Sequence, residues 1–255
     1  MKKRIILCLI CLINTSFLIS QNVNKENISN AEKLLGLELN DAERDSMLDY
    51  LNEQLSNYQQ IRNIKLENSI PPAIIFNPIP VNFNLPGGEN NITISDYSNT
   101  RLPDDINNLA FYSIGQLAHL IKTRQISSTE LTKFFLERLK KFDDELHCVI
   151  TITEERALRQ AALMDYEIQA GKYRGLLHGI PFGVKDLLST KDYKTTWGSV
   201  PFKDQMINED ATVISKLEDA GAVLCAKFSM GELAWGDVWF GGKTRTPWDT
   251  SKGSS

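Results

Sequence analysis

The chain has 255 residues, 42% of them hydrophobic and 24% charged, and a formal net charge of −4. That balance excludes a disordered or fibrous chain, and the length accommodates one large domain or two small ones. The acidic surplus leaves no electrostatic footprint for nucleic acid, so none is expected as a partner.

Residues 1–20 differ in kind from the rest. Met1-Lys2-Lys3-Arg4 is a basic start, residues 5–13 are almost wholly apolar, and Leu18-Ile19-Ser20 closes the stretch before polar Gln21 and Asn22. This is the layout of a secretory signal peptide, too short for a membrane span with stable flanks. The expectation is a secreted or periplasmic protein with no membrane attachment after cleavage. Ile10 ahead of Cys11 is bulky where a lipoprotein signal needs a small residue. Losing Lys2, Lys3 and Arg4 with the leader takes the net charge from −4 to −7. Cys8 and Cys11 leave with it. The remaining Cys148 and Cys225 lie in the strand-like runs "CVITI" and "AVLCAKF". They read as buried free thiols, with a bridge left open in an oxidising compartment.

Residues 21–105 read as an extension outside the main domain. Asn40 with Glu43 forms a capping box, and Leu48, Leu51, Leu55 and Tyr58 then follow at helical spacing as one apolar stripe. Residues 69–99 turn to Pro, Asn, Gly and β-branched types, the composition of an extended surface segment. Asn27 and Asn91 sit in glycosylation sequons.

From Ile106 the pattern tightens into α/β order. Ser113 with Gln116 opens a helix through His119 and Ile121. Ser127 with Glu130 opens a second, with Leu131, Phe134, Phe135 and Leu139 as its inner face. A strand "HCVITI" begins at His147, and a third helix carries Ala161, Met164 and Ile168 to a stop at Gly171. Next come the strand "GIPFGVKD", a Thr/Gly/Ser-rich loop, and a helix capped by Asp210 with Val213, Ile214 and Leu217 inside. Gly221 ends that helix and "AVLCAKF" follows. Strand, helix, strand with short links predicts parallel crossovers.

Ligands of such sheets bind past the carboxyl ends of the strands, where Lys185, Lys227, Phe228 and Ser229 fall. Three scattered histidines, His119, His147 and His178, offer neither a triad nor metal spacing. No metal and no cofactor is expected. A lysine ending a strand ordinarily reaches water. Enclosed by apolar neighbours, it would lose solvation of its charged form and become a neutral amine able to accept a proton.

The ordered motifs "GLLHGIPFGVKDLL", "KTTWGS", "DATVISKLEDAGAVLCAKFSMGELAWG" and "TRTPWDTSKGSS" resemble the amidase signature family of serine hydrolases. The resemblance covers residues 106–255, the first part of the family's domain. It implies an α/β fold, a twisted mixed sheet flanked by helices, incomplete in this chain. It also implies a Ser–cis-Ser–Lys triad that hydrolyses carboxylic amides of small molecules or peptides through an acyl-enzyme. By motif position Lys185 is the triad lysine, expected to be buried and uncharged in the complete enzyme. Thr195, Thr196, Gly198 and Ser199 match the family's Thr-Thr-Ala-Gly-Ser loop, with Trp197 in place of alanine. Thr196, Gly198 and Ser199 are therefore candidate substrate-binding residues, although a plain turn explains them as well. Phe228-Ser229 and Thr246 depart from the family pattern.

Counted from Pro247, the bridging serine falls just past Ser255, so Ser254 and Ser255 are its lead-in. These 255 residues are thus expected to carry the triad lysine and neither serine, and to be inactive alone. Two other readings remain open: an amidotransferase A subunit that frees ammonia from glutamine, and a non-catalytic amidase-like binding protein.

Overall fold

The computed structural model describes residues 22–255, save for positions 68, 69, 71, 81, 85, 86 and 89–91. The expected signal peptide and the Asn91 sequon lie outside the described residues. The chain divides into two compact units, Met1–Gly88 and Glu89–Ser255.

In the first unit, α1 (Lys25–Leu35) and α2 (Asp41–Asn63) form a helical hairpin. Both open on reciprocal capping boxes. Asn40 Oδ1 accepts the amides of Ala42 and Glu43 at 3.0 Å each, and Glu43 returns a carboxylate to Asn40 N at 2.7 Å. Arg44 of α2 holds Glu32 of α1 with two bonds of 2.8 and 2.9 Å. The apolar stripe is only partly covered: Leu48, Leu51 and Leu55 are half-buried and Tyr58 is exposed. The reason is length, because the 11 residues of α1 cannot cover the 23 of α2.

The second unit begins ahead of Ile106. Gln125 takes Leu102 N at 3.1 Å, the Tyr112 hydroxyl donates to Arg101 O, and the Tyr97 ring lies against Gly115. Residues 100–102 thus share hydrogen bonds with the α/β unit. Its helices are α3 (Ile114–Lys122), α4 (Ser128–Leu146), α5 (Glu154–Gln169) and α6 (Thr212–Asp219). The Ser113–Gln116 and Ser127–Glu130 boxes cap α3 and α4 as their spacing predicts. The first turn of α4 gains a second acceptor, because Asp165 of α5 accepts the amides of Ser128 and Thr129 at 2.6 and 3.0 Å.

Strands β1 (Val149–Ile152), β2 (Pro181–Lys185) and β3 (Val223–Phe228) form a mixed sheet in the order β1-β3-β2. The β2–α6–β3 segment is the expected parallel crossover, whereas β1 runs antiparallel to β3. The long link 170–180 after α5 lets the chain travel back along the sheet before β2 starts, which reverses β1 relative to β2. His147 does not begin the strand. It closes α4 in the left-handed region at φ 51, and Asp143 Oδ1 takes the next two amides at 2.8 Å each. Asp210 does not cap α6 either. Arg156 occupies its carboxylate at 3.1 and 2.9 Å, and Val213 faces water beside buried Ile214. Two short hairpins follow β3: β4 (Val238–Trp239) with β5 (Gly242–Lys243), and β6 (Arg245–Thr246) with β7 (Asp249–Gly253).

Helices α4 and α5 cover one face of the sheet, with Leu136, Ala157, Ala161 and Met164 against Val223 and Cys225. Leu117, Leu120, Ile121, Leu131 and Ile180 form a second cluster, and Val184, Ile214 and Leu224 a third. Each buried leucine or isoleucine contributes about 1.5–3 kcal/mol, so these clusters dominate the drive to fold.

Glu167 at the end of α5 accepts both nitrogens of Arg174, at 2.7 and 2.6 Å, and Lys172 at 2.8 Å. Arg174, aided by Lys172, holds the Glu167 carboxyl down at about 2. A depressed carboxyl contributes stability that is complete above its unfolded pKa of about 4.3. That contribution disappears as pH falls through about 2. Urea midpoints of the wild-type chain should therefore drop between these values, and Glu167→Gln should flatten that drop while lowering the midpoint at neutral pH.

Candidate active site at the strand ends

Strand alternation decides which groups meet at the carboxyl ends of β2 and β3. Val184 opposes Lys227 and Lys185 opposes Phe228 in parallel register. Along β2, Val184 and Asp186 turn inward and Lys185 turns outward, as period two requires. Lys185 is exposed, and its amine makes no hydrogen bond or ion pair among the described residues. The expectation of a buried Lys185 is thus not met within these residues. Lys185 is the last residue of β2, an outer strand of the sheet, and its side chain lies open to solvent there.

The buried lysine is Lys227. It and Asp186 are both fully inaccessible, with Nζ 2.8 Å from Asp186 Oδ1. Nζ also donates to Lys194 O at 2.5 Å and to Thr195 Oγ1 at 2.6 Å. Two hydrogen-bond acceptors and one ionic partner thus surround the amine, leaving Lys227 no open side from which to meet a substrate. Burial lowers its pKa, and the Asp186 carboxylate opposes that shift. The other carboxylate oxygen, Oδ2, accepts Thr196 N at 2.8 Å and a short bond from the Thr196 hydroxyl.

Thr195 and Thr196 thereby bind loop 194–199 to the sheet. Thr196 Oγ1 accepts Gly198 N at 3.2 Å, and Ser199 Oγ donates to Glu232 Oε1 at 2.7 Å. Trp197 and Gly198 both adopt left-handed backbone, at φ 52 and 67. Their carbonyls accept Leu233 N at 2.8 Å and Phe240 N at 3.1 Å, and the Trp197 ring packs against Phe202. Thr196 and Ser199 are buried with their hydroxyls engaged. Of the candidate substrate-binding residues, the structure therefore brings Thr196 to the end of β2 as a ligand of Asp186. Ser199 is joined instead to the 231–236 turn. Ser229 Oγ lies 2.6 Å from Thr244 Oγ1, and its amide donates to Cys148 O.

The remaining reactive side chains are quiet. His178 is buried, with Nδ1 accepting Arg174 N at 3.2 Å and Nε2 3.0 Å from Met164 O. Both thiols are free, and burial pushes Cys225 up to about 12 and Cys148 to about 11. Neither is a ready nucleophile at neutral pH. Among the described residues no cluster of His, Cys, Asp and Glu could hold a metal ion. A separate open groove lies between Tyr97, His119, Lys122 and Tyr173.

Fold and site together define a mixed α/β domain whose strand ends carry two lysines of opposite character, one locked and one free. Residues 130–255 match the family model Amidase, and this segment belongs to the amidase signature family. The putative amidase AmiD of Mycobacterium tuberculosis is 39% identical over 135 residues, 53% of this chain and 28% of that protein. The A subunit of a glutamyl-tRNA(Gln) amidotransferase from a Marinomonas species is 40% identical over 140 residues, 54% of this chain and 29% of its own. The native peptide amidase of Stenotrophomonas maltophilia superposes with a TM-score of 0.52 at 32% identity, covering 56% of this chain and 31% of that structure. The chain thus spans under a third of the length of these relatives.

The loop's rigidity has a direct test. A Cβ at Gly198 would stand 2.4 Å from Met230 O, in backbone that side chains rarely adopt. Gly198→Ala should cost about 2 kcal/mol or more in urea unfolding, against under about 0.5 kcal/mol if the loop could shift freely.

Proposed function

We propose that the protein is an exported amidase that hydrolyses carboxylic amides through a Ser–cis-Ser–Lys triad with Lys185 as its base. The observation that carries this reading is the placement of Lys185. It stands at the carboxyl end of a parallel strand, with an unengaged amine, one residue ahead of the Asp186 that holds loop 194–199. Lys227 does not serve, because its amine is fully buried and engaged by Asp186, Lys194 and Thr195.

In the proposed chemistry, a serine hydroxyl attacks the amide carbonyl while its proton passes through the bridging serine to neutral Lys185. The same proton then leaves with the departing amine, and water releases the acyl group by the reverse relay. Lys185 must lose its proton first, which requires desolvation by residues covering the outer face of β2. Neither serine is assigned within this chain.

In the full-length protein, Lys185→Ala should lower kcat by about 100-fold or more with unchanged unfolding, in keeping with loss of a general base. Lys185→Arg should fail equally, because a guanidinium stays charged. Near-wild-type turnover in either variant would sink the assignment.

The Marinomonas relative favours a second reading, in which the amide is that of glutamine and the ammonia passes to a partner enzyme. The basic-apolar leader supports export instead. Mass spectrometry of extracellular or periplasmic material should find a mature chain beginning near Gln21. An intact Met1 terminus on cytosolic protein would favour the second reading.

A further inference from the structure

We infer that Asp186 and Lys227 are positioning residues for Lys185, splinting the end of β2 to loop 194–199 so that base and loop keep one fixed relation. The inference rests on the reading of Lys185 as the base.

Chain geometry makes the connection. Asp186 follows Lys185 directly, so whatever fixes the Asp186 side chain and backbone fixes the peptide from which Lys185 projects. Every polar group of Asp186 is held, Oδ1 by an ionic contact and the others by hydrogen bonds. Its amide donates to Phe228 O at 2.9 Å, and its carbonyl accepts Trp197 N at 3.4 Å. One carboxylate oxygen faces Lys227 Nζ at 2.8 Å, and the other takes the amide and hydroxyl of Thr196. Lys227 in turn reaches Lys194 O and Thr195 Oγ1. Two charges and two threonines thus tie β2, β3 and the loop at one point, with no water-accessible surface on either charge.

Such an arrangement is a poor way to gain stability. Desolvating an ion pair offsets most of its attraction, and apolar residues of similar size would hold the strands as well. What apolar residues lack is direction. The hydrogen bonds from Lys227 to Lys194 O and Thr195 Oγ1, and from Thr196 N to the Asp186 carboxylate, are directional, and the placement they fix carries over to the adjoining base. Displacing a reacting group by about 1 Å costs about 100-fold in rate, so the fixed relation bears on turnover.

The test uses variants that keep the charges buried but alter their reach. Asp186→Glu preserves the ion pair and shifts the carboxylate by one methylene. Thr195→Val removes a single acceptor of Lys227 without unpairing a charge. Each is made in the full-length protein beside Lys185→Ala, with hydrolysis of a simple amide followed below the unfolding transition and expressed per folded molecule.

The expected result is a fall in kcat of about 10- to 100-fold for both variants, with KM within about threefold of wild type. A purely structural role would lower the urea midpoint and leave kcat per folded molecule untouched. Wild-type kcat in both variants, with Lys185→Ala inactive, would overturn the inference while leaving the base assignment standing. Full activity of Lys185→Ala would overturn the base assignment itself, and the positioning claim with it.

Discussion

The ends of β2 and β3 and loop 194–199 depend on one buried contact, the ion pair between Asp186 and Lys227. Its two residues come from the ends of different strands, and its secondary partners come from the loop between them. Replacing one partner alone would strand an uncompensated charge in a dry interior, a penalty of about 3–5 kcal/mol. By that asymmetry the site tolerates loss of both charges better than loss of either one. The left-handed backbone at Trp197 and Gly198 is tolerated because the neighbouring Thr196 is already anchored.

The contact also explains why one site holds two lysines without confusion of roles. Lys227 is held by Asp186, Lys194 and Thr195, while Lys185, one register step further along the sheet, faces the opposite way. Strand pleating separates a buried charge from an exposed one at almost no cost in sequence. A single residue of slip in β2 would turn Lys185 inward and Asp186 outward.

What can be read in the sequence is the local part. The Asn40–Glu43, Ser113–Gln116 and Ser127–Glu130 boxes cap their helices as expected, because each requires only residues three positions apart. The amidase motifs bring Lys185 and loop 195–199 into view for the same reason, as short contiguous patterns. The misreadings involve distance. The direction of β1 depends on how far link 170–180 carries the chain back, and Asp210 is lost as a cap because Arg156, which lies 54 residues away, takes its carboxylate. Lys227 reads in the sequence only as a strand-end residue. Its burial depends on acceptors from Asp186, Lys194 and Thr195, and the preceding apolar run "AVLCA" is the one local hint.

The order β1-β3-β2 sets a schedule for the ribosome. The central strand is the last of the three to be synthesised, and both outer strands pair with it rather than with each other. Until Phe228 has left the exit tunnel, β1 and β2 have no ladder to join, and the apolar faces of α4 and α5 have no sheet to cover. Such late, non-local pairing is slow and keeps nascent apolar surface open to misassociation. A holding chaperone that shields the chain through this interval would act on residues 128–222, the stretch whose strands await β3 for pairing.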